Sequence, residues 1–225
     1  MNVAIIAAAG KGTRMAGARP KQFLEVAGTP IIFHTLKPFE QCDRIQQIIA
    51  VLPAEEAAEF TSLAQQAGLH KLAQVVAGGE TRAESVARGL KAIGANKVEI
   101  VAIHDGVRPF VTPEEISSTV EAAKITGAAI LVAPLTDTIK EIQGKNIVRT
   151  LSRANLRSAL TPQCFRYDLL QKAYLRADLK DPGITDDSIL VERTGASVTA
   201  VEGSSQNIKI TTPQDLAMAE ILLQA

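Results

Sequence analysis

The chain opens on Val3-Ala4-Ile5-Ile6-Ala7-Ala8, an apolar run with no polar interruption, and breaks at once into Ala9-Gly10-Lys11-Gly12-Thr13-Arg14. A short unbroken run of this kind reads as a strand buried on both faces, as inside a parallel sheet covered by helices. Glycines placed directly after such a strand let backbone N–H groups approach an anion closely. Lys11, Arg14, Arg19 and Lys21 crowd the same stretch, and so many cations suit a polyphosphate better than a monophosphate. The competing reading is a solvated basic loop beside a tight turn. Ligands gather at strand C-termini in α/β sheets, which favours phosphate. The loop is no P-loop, since G-x-x-x-x-G-K-[ST] is absent. Nor is it a full dinucleotide fingerprint, because Met15 stands where the third glycine should be.

Beyond the loop, strands alternate with helices. The pattern predicts a helix over Pro30–Glu40 with Thr29 as N-cap and Pro30 at the first helical position. It predicts a strand over Gln47–Leu52, a helix over Ala54–Ala67 ending at Gly68, and a strand over Gln74–Ala77. Thr81-Arg82-Ala83-Glu84 has capping-box spacing and opens a helix to about Ile93. A strand over Glu99–Ile103 leads into His104-Asp105-Gly106, followed by a helix over Pro113–Thr126 and a strand over Ala129–Val132. Further helices are expected over Phe165–Arg176, Asp186–Thr194 and Pro213–Leu223, with strands over Ser197–Val201 and Asn207–Ile210. Such alternation implies a mostly parallel sheet with helices on both faces.

One segment breaks the alternation. Asp137–Gln143 and Asn146–Leu151 flank Gly144-Lys145 and read as a β-hairpin, too polar for a central place in a sheet. A lone two-stranded hairpin is only marginally stable. Its aliphatic residues, Ile139, Ile142, Ile147, Val148 and Leu151, need cover. The cover is either a small domain of its own or a second subunit, and burial favours the subunit.

Composition excludes several classes. Lys+Arg and Asp+Glu balance at 24 each, so neither a general nucleic-acid binder nor an anionic-membrane binder is expected. The chain has no Trp and only 4% aromatic residues, which leaves little for base stacking on an open sheet. Residues 1–10 lack the charged n-region and long apolar core of a signal peptide, so none is expected, and no apolar run is long enough to span a bilayer. Cys42 and Cys164 form no CxxC motif, and a reduced, cytoplasmic compartment is the expectation.

Larger motifs then accumulate. Ala7-Ala8-Ala9-Gly10-x-Gly12-x-Arg14 with Pro20-Lys21-Gln22-Phe23 resembles the nucleotidyltransferases that activate sugar phosphates. More narrowly, the chain resembles the 2-C-methyl-D-erythritol 4-phosphate cytidylyltransferases of non-mevalonate isoprenoid synthesis. The matching segments are Ala77–Val86, His104–Pro109, Asp137-Thr138, Thr161-Pro162-Gln163, Thr185-Asp186-Asp187 and Asn207–Thr211. They stand in family order and span almost the whole chain. One departure is His104-Asp105-Gly106-Val107-Arg108, where family members often carry His-Asp-Ala-Ala-Arg.

The resemblance implies a three-layer Rossmann-like fold of GT-A type, a single domain over 1–225 with a protruding arm at about 136–154. It implies transfer of CMP from CTP to methylerythritol phosphate. Ribitol-phosphate cytidylyl transfer and nucleotide binding without turnover stay as alternatives. Carried over by position, Arg14 and Lys21 would be catalytic. Ala7, Ala8, Ala9, Gly10, Gly12, Gly79, Glu80, Ser85 and Lys209 would hold the nucleotide. Asp105, Arg108, Thr161 and Lys209 would hold the acceptor, and Thr138 and Arg153 would reach it from the partner's arm in a homodimer. Asp105 would also carry Mg²⁺ or another divalent cation. Without the resemblance, Lys21, Arg153 and Lys209 are ordinary surface charges, Ser85 a first-turn helix serine and Asp105 a turn cap. His34 and His70 have no ligand spacing, and His104 reads as a strand-end residue rather than a base. Asp186 and Asp187 read as an acidic first helical turn.

Overall fold

In a computed structural model, residues 1–10, 20–94 and 97–224 are described. Lys11, Gly12, Thr13, Arg14 and Arg19 lie outside them.

Alternate residues of β1 (Val3–Ala7) explain the layering. Ala4 and Ile6 enter one hydrophobic cluster, while Val3 and Ile5 enter another on the opposite face. The first cluster takes Ile32, Leu36 and Phe39 from α1 (Ile31–Gln41), Phe60 from α2 (Ala57–Gln66) and Ile116 and Val120 from α4 (Pro113–Thr126). The second takes Val86 and Leu90 from α3 (Arg82–Ala92), Leu170 and Tyr174 from α5 (Tyr167–Arg176) and Leu190 from α6 (Ser188–Glu192). Each fully buried Ile, Leu or Phe contributes roughly 1.5–3 kcal/mol. These two clusters therefore hold helices on both faces of one sheet.

The remaining elements are β2 (Glu25–Val26), β3 (Thr29–Pro30), β4 (Gln47–Leu52), β5 (Leu72–Ala77), β6 (Ile100–Asp105) and β7 (Ala128–Pro134). They continue with β8 (Ile139–Gln143), β9 (Asn146–Leu151), β10 (Arg157–Arg166), β11 (Thr199–Glu202) and α7 (Pro213–Gln224). The main sheet runs β11-β7-β10-β6-β1-β4-β5. All ladders in it are parallel except those of β10 to its two neighbours. After β1 the chain builds outward through β4 and β5, then returns to β6 on the other side of β1. That reversal leaves a crevice at the carboxyl end of β1, where α/β folds place ligands. The fold is α/β and Rossmann-like, as the sequence led one to expect.

Three expectations need correction. Pro30 is itself the N-cap of α1, and Thr29 gives no cap bond. Thr29 pairs instead with Val26 across a tight turn at Ala27-Gly28, both with positive φ. Second, β10 lies in the middle of the sheet, where no strand was expected, and Phe165 belongs to it rather than to a helix. Pro162 argues against a central strand because it cannot donate to a ladder. The chain accommodates it in a register irregularity between Ala159 and Gln163. Third, Asn207–Ile210 is no strand. It crosses the strand tips, with Asn207 Nδ2 donating to the Thr161 carbonyl and the Ile210 N–H to the Val107 carbonyl, both at 2.9 Å. Long-range contacts there replace a ladder.

The hairpin stands apart as a two-stranded sheet of β8 and β9, with Gly144 at φ 59° in its turn. Ile142, Ile147 and Val148 are 65%, 64% and 55% exposed, so this chain alone leaves them uncovered.

Candidate active site

The register pairs Ala7 with Asp105 and with Val51, which sets the first loop and the tip of β6 side by side. Gly106 allows this approach: a Cβ there would lie 2.4 Å from the Cβ of Ala8. Next to them, Gly78 and Gly79 turn the chain from β5 into α3. A Cβ on Gly78 would meet that of Ala9 at 2.0 Å, so only glycine lets the two loops close on each other. Ser85 pins this turn, accepting from the Gly79 N–H at 3.0 Å and donating to the Thr81 carbonyl at 2.9 Å. The capping box of α3 forms as its spacing implies, with Thr81 and Glu84 capping each other. Glu84 also accepts from the Glu80 N–H at 2.7 Å.

These loops enclose a cavity of about 160 Å³. Ala7, Ala8, Ala9 and Gly10 form one wall, Gly79, Glu80 and Ser85 another. Lys21, Asp105 and Lys209 also line it. Every residue expected at the nucleotide except Gly12, which lies outside the described residues, is thus brought to one place. Arg14 lies outside them as well. The Glu80 carboxylate pairs with Lys180, 3.1 Å distant, and its side chain is largely exposed.

A second cavity shares Asp105 and Lys209 with the first and adds Arg108 and Thr161. A third, broader one continues from Arg108 and Lys209 to Thr136, Asp137 and Ile139 at the root of the hairpin. Thr138 is exposed, and Arg153 donates to the Thr136 carbonyl at that root. Neither lines these three cavities.

Asp105 stands where the first two cavities meet. Its Oδ1 lies 3.0 Å from Arg82 Nε, and its Oδ2 lies 2.8 Å from Lys209 Nζ and 3.3 Å from Arg108 Nε. Burial alone would raise its pKa, yet the three cations override burial and hold the carboxyl well below the usual carboxylate range. The turn-cap reading of Asp105 therefore fails for its side chain, which is the hub of an ion cluster. Arg82 was not singled out by sequence. It lines both cavities and reaches back to Asp187, with Nη1 2.8 Å from Oδ2. Asp187 is buried and also accepts from the Tyr174 hydroxyl. Burial opposes the charge on Arg82, but Asp187 and Asp105 more than offset it and keep the guanidinium protonated. So Asp187 is an internal counter-ion, whereas Asp186 does cap α6, accepting from the Ile189 N–H at 3.1 Å. The signal that could have found Arg82 was its place in the capping box, one residue after Thr81.

His104 is completely buried, and burial pushes its pKa down to about 4. Its Nε2 lies 3.0 Å from the Arg108 carbonyl and its Nδ1 2.9 Å from Thr161 Oγ1. It is a structural strand-end residue, as expected. His34 is structural too, bonded through Nε2 to the Val26 carbonyl at 2.9 Å.

A crevice at the reversal point, walled by close-packed backbone and bordered by Lys21, Arg82 and Lys209, is the setting in which α/β enzymes such as nucleotidyltransferases hold phosphorylated ligands. Residues 2–225 match the family described as IspD: 2-C-methyl-D-erythritol 4-phosphate cytidylyltransferase. A curated relative of that name from Bacillus licheniformis is 45% identical over 98% of this chain and 95% of its own length. Another from Halalkalibacterium halodurans is 44% identical over 97% of this chain and 95% of its own. Among solved structures, 4-diphosphocytidyl-2C-methyl-D-erythritol synthase from Anaerococcus prevotii superposes with a TM-score of 0.87 at 31% identity, covering 100% of this chain and 96% of that one. The 2-C-methyl-D-erythritol 4-phosphate cytidylyltransferase from Thermus thermophilus gives 0.79 at 34%, covering 99% and 98%. The chain belongs to the 2-C-methyl-D-erythritol 4-phosphate cytidylyltransferase family.

Proposed function

We propose that this enzyme transfers CMP from CTP to 2-C-methyl-D-erythritol 4-phosphate. A phosphate oxygen of the acceptor attacks the α-phosphorus, the bond from that phosphorus to the bridging oxygen breaks, and pyrophosphate leaves. The product is 4-diphosphocytidyl-2-C-methyl-D-erythritol. The attacking oxygen is already anionic, so no activated nucleophile is required; alignment and charge neutralisation are. The observation that carries the reading is the Asp105 cluster, which puts Lys209, Arg82 and Arg108 at the junction of two adjoining cavities. CTP would lie in the cavity of the first loop and the acceptor in the one beside Thr161, with the reacting phosphorus at the junction. Lys21, and Arg14 from the loop, would neutralise charge that builds up there. Gly10, Gly79 and Ser85 would hold the nucleotide largely through backbone.

A divalent cation belongs to this reading. Among the described residues no three metal-binding side chains cluster, and Asp105 is the one carboxylate lining both cavities at the strand tip. Mg²⁺ keeps several waters and binds phosphates, so one carboxylate is enough. Asp105 would hold it through an oxygen that now faces a cation, and the ion would spread the charge of the triphosphate.

The reading also takes residues 1–225 as one domain acting in a homodimer, each arm covered by the other subunit and bringing Thr138 and Arg153 to the partner's acceptor. A cytoplasmic location fits the free, buried thiols of Cys42 and Cys164. No helix among the described residues is long and apolar enough to cross a membrane.

The test is a matrix of four nucleoside triphosphates against methylerythritol phosphate and ribitol phosphate, with Mg²⁺, read by pyrophosphate release. Turnover only with CTP and methylerythritol phosphate is expected. Preference for ribitol phosphate would move the protein to the alternative acceptor, and no turnover at all would leave nucleotide binding alone.

A further inference from the structure

We propose that Asp186 is a specificity-determining residue for the second substrate: its carboxylate, held in place by Gln163, accepts a hydrogen bond from an acceptor hydroxyl in the cavity beside Thr161. The inference deepens the transfer reading and rests on it.

Gln163 is 1% exposed, and its amide orientation is forced. The Asp187 and Ser188 N–H groups each lie 3.0 Å from Oε1, and a backbone N–H can only donate, so the amide oxygen belongs on that side. Nε2 then falls on the other side and donates to Asp186 Oδ2 at 2.8 Å. One side chain of β10 thus grips three successive residues at the start of α6. Both lone pairs of Oε1 are spent on the backbone, and the second proton of Nε2 faces the Leu160 carbonyl at 3.5 Å. Gln163 is therefore a positioning residue, acting on a ligand only through what it holds. Asp186 is less fully occupied. Capping α6 takes its Oδ1, through the Ile189 N–H at 3.1 Å, whereas Gln163 bonds the other oxygen. The Ser188 hydroxyl brings one proton, shared between these oxygens, 3.1 and 3.2 Å away, and Glu192 Oε1 at 2.9 Å. A carboxylate offers about four acceptor sites. Among the described residues these three donors are all that reach it, so an acceptor site is left over.

The consequence is a polarised cavity. Asp186 is half-buried and lines it together with Gln163. Arg82, Arg108 and Lys209 line it too, gathered on Asp105, whose charge they more than balance. Those cations draw a phosphate. The donors to Asp186 are all neutral groups, so its negative charge stays uncompensated there. It repels an ionised phosphate oxygen and accepts from a hydroxyl, in a charge-assisted bond roughly twice as strong as a neutral one. A polyol phosphate therefore enters one way round, with its phosphate on the cations and its alcohol carbons at Asp186.

Kinetics with methylerythritol phosphate, and with analogues in which each hydroxyl is replaced in turn by hydrogen, test this beside urea unfolding. In the wild type one position should lose about ten-fold or more in kcat/KM, mostly through KM, because the carboxylate loses its partner. Asp186→Asn keeps an oxygen that caps α6 but has no lone pair to spare. It should raise KM for the acceptor about ten-fold, leave KM for CTP within about two-fold, and shrink the selectivity at that position to about three-fold or less. Gln163→Glu sets two carboxylates against each other, and should lower the urea midpoint and raise the acceptor KM as well. The double variant Gln163→Glu with Asp186→Asn rebuilds the bond with its polarity reversed, so the midpoint should recover while the acceptor KM stays high. Recovery of both would show that Asp186 serves only the fold, and a double variant no more stable than Gln163→Glu would show that Gln163 does not hold it; either overturns the proposal. So does an unchanged acceptor KM in Asp186→Asn or, should that variant not fold, in Asp186→Ser, which also caps. No turnover by the wild type would sink the transfer reading and this one with it; turnover with a flat analogue series sinks this one alone.

Discussion

Lys21 and Arg82 sit on the same cavity yet do different work. Lys21 lines the first cavity from a short turn. Lys21→Ala should lower kcat by about 10²-fold or more, as losing one preorganised charge contact does, while the fold survives; near-normal kcat with intact circular dichroism would refute its role. Arg82 neutralises Asp187, which is 1% exposed. Arg82→Leu strands that carboxylate and should cost about 3–5 kcal/mol in urea unfolding, as breaking a buried pair does. Adding Asp187→Asn should recover part of the loss, and a strictly additive pair would show that the two do not interact. His104 makes stability depend on pH. Its folded value near 4 lies below the unfolded 6.5. Between those values the unfolded chain binds a proton that the folded chain does not, so stability falls as pH drops from 6.5 to 4, by ~3 kcal/mol. Chemical denaturation across that window should show the slope, and His104→Gln should flatten it.

At the scale of elements, the site depends on two loops that touch. The turn after β5 closes on the first loop because Gly78 has no side chain, and on the start of α3 because Gly79 has none. Gly78→Ala would place its Cβ against Ala9 and force apart the walls of the first cavity, where CTP is proposed to lie. Overpacking of this kind costs typically about 1–3 kcal/mol. We expect KM for CTP to rise about ten-fold, in line with that cost, while KM for the acceptor changes little. Equal rises in both would mean that the turn serves the whole sheet edge instead of the nucleotide. The antiparallel strand β10 is the other decisive element, since it carries Thr161 past the tip of β6 and makes the second cavity.

For the whole molecule, the arm poses the open question of assembly. It carries exposed Ile142, Ile147 and Val148, and its Arg153 lines none of the three cavities of its own chain. If the arm crosses to a partner, a site takes Arg14 from one chain and Arg153 from the other. Homodimers of Arg14→Ala or of Arg153→Ala should then both be poor enzymes. Refolding the two together should return about a quarter of wild-type activity, because about half the dimers pair one doubly damaged site with one intact site. A mixture no better than the mean of its parents, with subunit exchange confirmed, would place both residues in one chain's site.

Much of this was legible before any coordinates. Local chemistry carried it: the apolar run of β1, the capping box at Thr81, and the glycine turn of the hairpin each depend on neighbours a few residues away. The residues that wall the first cavity were legible as motifs for the same reason, since a strand followed by a glycine loop is a contiguous device. What only the tertiary structure decided was which distant residues meet. That Asp105 lies level with Ala7, that Arg82 spans from it to Asp187, and that His104 meets Thr161 are matters of register and packing across many tens of residues. The same holds for Asn207–Ile210, strand-like in composition yet drawn off any ladder by Thr161 and Val107. Local propensity is worth tenths of a kcal/mol per residue, whereas burying a core side chain is worth several times more and leaving a buried charge without its partner costs several times more, and where the two compete the long-range term wins.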